Sequence, residues 1–172
     1  DNFSLYCWGS NSHGQLGIGV APSVSLAVWS PQSVNLGSGR TAVAVEAGDH
    51  HTCAILDDAS LKCWGRNTYG QIGIGSTTSD YHSSPQSVNL GSDRTAVAVE
   101  ADEYITCAIL DDTSLKCWGR NNNGQLGIGS TTDHSSPQSV DLGSNRTAVA
   151  INLGQSHACA ILDNSSLKCW GV

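Results

Sequence analysis

CWGRNTYGQIGIG, residues Cys63–Gly75, decides how this chain is read, because the chain contains it more than once. It is CWGSNSHGQLGIG at Cys7–Gly19 and CWGRNNNGQLGIG from Cys117, and a further copy starts at Cys169 with CWGV. The cysteines that open the copies are 56, 54 and 52 residues apart. A second block recurs between them, as SPQSVNLGSGRTAVAVEAG, SPQSVNLGSDRTAVAVEAD and SPQSVDLGSNRTAVAINLG, and a third follows as TCAILDDASLKCWG, TCAILDDTSLKCWG and ACAILDNSSLKCWG. Self-similarity at one fixed period marks a repeat architecture. The repeats run approximately 7–62, 63–116 and 117–168, with a partial start at 169–172.

Within a repeat the pattern is that of strands. Ala42, Ala44 and Glu46 alternate with Val43, Val45 and Ala47, the period-two signature of a strand. Thr52–Leu56 and Ser60–Trp64 flank Asp57-Asp58-Ala59, which predicts a hairpin with a three-residue loop. Gln32–Leu36 follows Pro31 and reads as an outer edge strand, since proline is confined to sheet edges and first positions. No segment carries a sustained 3.6-residue apolar period. The expectation is an all-β chain of about four short antiparallel strands per repeat.

The motif W-G-x-N-x-x-G-Q-L-G-x-G resembles the regulator of chromosome condensation repeat, and the likeness extends over nearly the whole chain. This resemblance implies β-propeller blades, with Trp64 packed between blades and Gly70, Gly73 and Gly75 supplying positive φ or close backbone approach. Propellers of this family close with about seven blades, within the usual range of about four to eight. Three repeats do not close such a ring alone. DNFSLYCWG at Asp1 and DNSSLKCWG at Asp163 lie at the same phase, so the expectation is either further repeats or successive chains continuing one another. The chain opens at Asp1 without Met, as a processed or partial chain would.

The composition narrows function. Net charge is −7 and only 13% of residues are charged, with three lysines and five arginines scattered singly, which excludes a basic nucleic-acid surface. No apolar run reaches the ~18–20 residues of a membrane span.

Three cysteine pairs, Cys53 with Cys63, Cys107 with Cys117 and Cys159 with Cys169, each flank a proposed hairpin ten residues apart. Converging inward from either cysteine meets Asp58, so the two face one another across the strands, within disulfide reach. A loop this small contributes roughly 2–3 kcal/mol in the chain-entropy picture. Zinc is the competing reading, but C-x9-C without a second close pair is poor metal spacing; reduced core thiols are the third. Disulfides imply an oxidising, extracellular compartment. Cys7 aligns with Cys63, Cys117 and Cys169 and lacks the cysteine ten residues upstream. It is unpaired, or bonded to an earlier segment or to a neighbouring chain. Sequons at Asn2, Asn145 and Asn164 suit secretion, Asn2 and Asn164 at hairpin tips and Asn145 in a Gly-Ser-x-Arg turn. The STTSDYHSS and STTDHSS loops are either O-glycan acceptors or plain solvated connections.

Chemistry is sparse. His51 and His157 share a repeat position that Ile105 fills in the middle repeat, so packing explains it better than catalysis. Asp49-His50-His51 is the best local metal cluster and a weak one. Asp57-Asp58 and Asp111-Asp112 lack the spacing of a calcium loop and read as turn chemistry. GQLGIG lacks the Lys-Ser/Thr of a phosphate loop. No catalytic constellation stands out, and no cofactor is expected.

Two functions remain. The first is a non-enzymatic, secreted and glycosylated repeat protein, a structural or adhesive module of an extracellular assembly such as a head-to-tail fibre or surface coat, with self-association or further repeats as its partners. The second is part of a closed propeller that recognises a protein partner, as a receptor ectodomain or secreted binder. In that case the divergent Val20–Ser30 stretch, with Trp29, marks the contact surface if Trp29 is exposed, and is ordinary packing if it is buried.

Overall fold

The computed structural model describes residues 4–20 and 27–172, and among these thirteen strands form four antiparallel sheets. β1 (Tyr6–Ser10) pairs with β2 (Ala27–Ser33). β3 (Ala42–Ala47), β4 (His51–Leu56), β5 (Leu61–Arg66) and β6 (Tyr81–Ser87) form a meander in chain order. β7 (Ala96–Asp102), β8 (Ile105–Leu110), β9 (Leu115–Gly119) and β10 (His134–Ser139) repeat it. β11 (Ala148–Gly154), β12 (His157–Leu162) and β13 (Leu167–Gly171) form a three-stranded sheet. These sheets are propeller blades. β7 packs on β3 and β4, and β11 on β7 and β8, so the first strands gather along one axis and the last strands form the rim. The CWG motif lies on the third strand of the three larger sheets (β5, β9 and β13), so the sequence repeat and the blade are offset by two strands. No helix among the described residues is long and apolar enough to cross a membrane.

The hairpin loop closes as the sequence predicts. Leu56 N donates to Ser60 O, and Ala59 takes φ +60° within the Asp57-Asp58-Ala59 loop. Asp58 Oδ1 accepts from Ser60 N at 3.1 Å and Ser60 Oγ at 2.6 Å, and these bonds hold its carboxyl below the usual carboxylate range. The edge strand differs from expectation. It is Ala27–Ser33, with Pro31 inside it rather than just before it. Its place at the rim explains the tolerance, because no further strand needs the missing N–H. The register also shifts between Cys7 and Gly9, and between Cys63 and Gly65 on β5, so the ladder skips the proline.

Every residue of β4 and of β8 is buried, because a central blade strand is covered on both faces. Cys53 and Ile55 face the following blade, where with Leu61, Cys63 and Ile72 they meet Val99, Ala108, Leu110 and Trp118. Ala54 and Leu56 face the preceding blade and pack with Trp64 against Val34 and Leu36. The structure joins Cys53 to Cys63, Cys107 to Cys117 and Cys159 to Cys169, each pair directly opposed in register with Cα atoms 4.1 Å apart.

Adjacent blades are held by a repeated latch. Trp64 Nε1 donates to Gln15 O at 2.9 Å, Trp118 Nε1 to Gln71 O at 2.9 Å, and Trp170 Nε1 to Gln125 O at 2.9 Å. Thr52 and Thr106 hydroxyls donate to the same Gln15 and Gln71 carbonyls at 2.8 Å. The indole lies directly over a glycine: a Cβ on Gly73, whose φ is +77°, would stand 2.6 Å from Trp118 Nε1. His51 adds a further bond across this interface. Since the Thr106 hydroxyl donates to Gln71 O, it accepts from His51 Nε2 at 2.7 Å, which places a proton on Nε2. Burial first, and then the charge of His50, lowers the His51 pKa to about 3.

Two outcomes follow from these contacts. Gly73→Ala is expected to cost about 2–4 kcal/mol in urea unfolding, from left-handed strain plus overpacking against Trp118. Gly75→Ala shares the positive φ but meets nothing within 4 Å, and its expected cost is about 1–2 kcal/mol. Equal losses would show that the indole contact is not what demands glycine. His51 is neutral in the fold and takes up a proton near pH 6.5 when unfolded. Stability is therefore full above about pH 6.5 and falls on acidification towards pH 3, by up to about 1.4 kcal/mol per pH unit. His51→Ile, which copies Ile105, is expected to flatten that part of the profile; an unchanged slope in urea melts at pH 4 to 7 would rule His51 out as its source.

Candidate protein-interaction face

Each copy of the motif builds the same small loop from the same bonds. Asn67 Oδ1 accepts from Ile72 N, Asn67 Nδ2 donates to Ser76 O at 2.7 Å, and Gln71 Oε1 accepts from Tyr69 N at 3.0 Å. Asn11 with Gln15, and Asn121 with Gln125, do the same for Leu16 and His13 and for Leu126 and Asn123. The fixed frame therefore holds up a variable residue: His13, Tyr69 and Asn123 occupy one position. The β3–β4 and β7–β8 turns present His50 and Tyr104 at another, and Ser156 is their counterpart. A third position holds Ser10, Arg66 and Arg120; Arg66 N donates to His50 O at 2.9 Å and Arg120 N to Tyr104 O at 3.0 Å.

These positions meet across blades in one half-buried cluster. The His13 and His50 rings lie 4.8 Å apart and those of His50 and Tyr104 6.0 Å apart. Tyr69 and Tyr104 stack edge-on at 5.0 Å. The Arg66 guanidinium is 5.1 Å from the Tyr104 ring centre, and that of Arg120 is 5.2 Å from Tyr69 and 5.4 Å from Tyr104. Partial burial, then His50 and Arg66, lowers the His13 pKa. The neighbouring Glu103 carboxylate first, and then burial, raises the Tyr104 phenol. His50 Nδ1 is buried without a hydrogen-bond partner among the described residues. Aromatic rings and guanidinium groups in this arrangement suit protein contact, where tyrosine and arginine are enriched.

The residues singled out in the sequence fall elsewhere. Trp29 is 92% exposed on β2 and pairs with none of the cluster's rings. Residues 21–26 of its stretch, and Asn2, lie outside the described residues. Asn145 (φ +57°) is exposed in its turn, and Asn164 is exposed at a hairpin tip, its Oδ1 accepting from Ser166 Oγ at 2.6 Å. Cys7 is unpaired on β1 and partly buried against the Ala54, Leu56 and Trp64 core, and that burial raises its thiol pKa. His51 and His50 diverge, one to Thr106 and the other to the ring cluster, and no group of three His, Cys, Asp or Glu that would hold a metal occurs among the described residues. Sequence reading passed over the cluster. Its signal was there, in three aligned positions that change type inside otherwise matching blocks.

Comparison with known proteins matches this architecture. The model of the regulator of chromosome condensation (RCC1) repeat matches residues 4–55, 61–109 and 117–161. The chain is 30% identical over 169 residues to the Arabidopsis thaliana ultraviolet-B receptor UVR8, covering 97% of this chain and 36% of the receptor. It is 26% identical to human E3 ubiquitin-protein ligase HERC2, covering 97% of this chain and 3% of the ligase. It thus spans about a third of the first relative and a small part of the second. Yeast RCC1 (Prp20), solved bound to Kap60, superposes with a TM-score of 0.82 at 21% identity over 96% of this chain and 39% of Prp20. By motif, blade and family match, the chain belongs to the RCC1 repeat family.

Proposed function

We infer that this chain is the recognition segment of an extracellular propeller that binds a protein through the face formed by His13, His50, Arg66, Tyr69, Tyr104 and Arg120. One observation carries the reading: repeats that are nearly identical in frame diverge at three positions on one face, and those positions touch one another across blades. Repeats so alike in frame offer little individuality over most of their length. The individuality is concentrated on one face. Three hairpin disulfides support an oxidising compartment, and the exposed sequons Asn145 and Asn164 agree with it. The test is the Tyr69→Ala/Tyr104→Ala variant with an unchanged urea midpoint. It is expected to lose about tenfold or more of the protein that the wild type captures from cell-surface extract, tyrosines being frequent hot spots. Equal capture would overturn the reading.

A structural or adhesive module of a fibre or coat is the second reading, favoured by Cys7. This cysteine aligns with bonded Cys63, on a strand whose sole partner among the described residues is β2. Intact mass of the unreduced native protein separates the two. Disulfide-linked multimers abolished by Cys7→Ser support the structural module, and a single species with a free thiol supports recognition. The same spectrum reads glycan mass at Asn2, Asn145 and Asn164.

A further inference from the structure

The cations of this acidic chain are almost all engaged by its own fold. Arg40 pairs with Asp57 at 3.4 Å and Asp58 at 3.1 Å, Arg94 with Asp111 at 3.2 Å and Asp112 at 3.4 Å, and Arg146 with Asp163 at 3.4 Å. Lys62, Lys116 and Lys168 donate to the carbonyls of Leu36, Leu90 and Leu142 at 2.9, 2.8 and 2.7 Å. Arg66 and Arg120 are the two left without a carboxylate or carbonyl acceptor for the side chain among the described residues. Both converge on Tyr104. Arg66 spends one N–H on Thr68 Oγ1 at 3.1 Å and another on the Tyr104 hydroxyl at 3.4 Å. A guanidinium has five N–H donors in a planar fork, and stacking on a ring leaves its edge free for a carboxylate.

We propose that Arg66 and Arg120, seated on Tyr69 and Tyr104, bind Asp and Glu side chains of a partner protein's acidic segment. This rests on the recognition reading above and specifies its partner. Two considerations favour a peptide segment over a nucleic acid or sulfated glycan. The chain carries net charge −7, with Asp102 and Glu103 immediately before Tyr104, so a dense polyanion is repelled. The rings offer apolar contact that a peptide fills beside its carboxylates. Two adjacent forks also suit two carboxylates better than one, since each Arg–carboxylate pair is bidentate.

The experiment uses the disulfide-intact chain and a display library of random peptides of about twelve residues, fused through their C-termini so that no free terminal carboxylate competes. Enriched peptides are expected to carry at least two Asp or Glu, to bind about tenfold more weakly to Arg66→Ala or Arg120→Ala, and to weaken as salt rises from about 50 to 200 mM. Arg66→Lys/Arg120→Lys keeps the charge without the planar fork and is expected to recover only part of the binding. Enriched peptides without acidic residues that still depend on Tyr69 and Tyr104 would overturn the acidic partner and leave the recognition face standing. Failure to enrich any peptide, or binding indifferent to every residue of the cluster, would overturn both. Retention on heparin through the same two arginines would overturn the peptide in favour of a polyanion.

Discussion

A tryptophan N–H aimed at a main-chain carbonyl of the neighbouring blade is the constraint on which the other interfaces depend. Trp64, Trp118 and Trp170 each make this bond at 2.9 Å to the glutamine of the preceding motif loop. A buried indole N–H left unpaired would cost about 1–3 kcal/mol, so the partner loop must present its carbonyl at one place and one angle. The loop meets that demand through its own Asn and Gln side chains, which consume the loop's backbone donors internally and leave the Gln15, Gln71 and Gln125 carbonyls turned outward. Glycine at the contact follows from the same geometry. The ring occupies the space where any Cβ would stand.

The two faces of each blade divide the remaining work. The forward face carries a disulfide bound into an aliphatic cluster, and the backward face carries the indole. A central strand buried on both sides has no solvent face on which to place charge. β4 and β8 accordingly carry no Asp, Glu, Lys or Arg, and Arg40, Arg94 and Arg146, just ahead of the first strands, bridge to aspartates at the β4–β5, β8–β9 and β12–β13 hairpin tips of the same blade. These pairs are about 40% exposed and screened by water, so they orient the turns more than they stabilise them.

Much of this could be read from residues alone. Ala42–Ala47 alternates as its strand requires, Thr52–Leu56 and Ser60–Trp64 flank Asp57-Asp58-Ala59 as β4 and β5 flank their loop, and the motif glycines take the positive φ that the family resemblance implies. The start of β2 was not legible, because proline at an edge limits a strand only through a bond the edge never makes. The ring cluster was hidden for another reason. His13, His50, Arg66, Tyr69, Tyr104 and Arg120 are scattered over more than a hundred residues of chain, and their contact depends on how the blades fan out, which the repeat period does not specify. Trp29 drew notice because it differs in kind from its counterparts Ser83 and Ser135. A change of type marks a candidate, and only packing shows whether it has neighbours.

The latch also explains why variation in this chain takes the form it does. Within a motif loop, asparagine, glutamine and glycine are each tied to a bond or a contact, so a substitution there breaks the blade interface. The residue between them has its N–H captured and its side chain free. His13, Tyr69 and Asn123 therefore differ without cost to the frame. The latch spacing brings that free position on one blade beside the turn residue of the next, as Tyr69 beside Tyr104 and His13 beside His50. A surface that differs from blade to blade thus arises on a framework that does not. Its chemistry spans blades even though every interface beneath it is the same bond repeated.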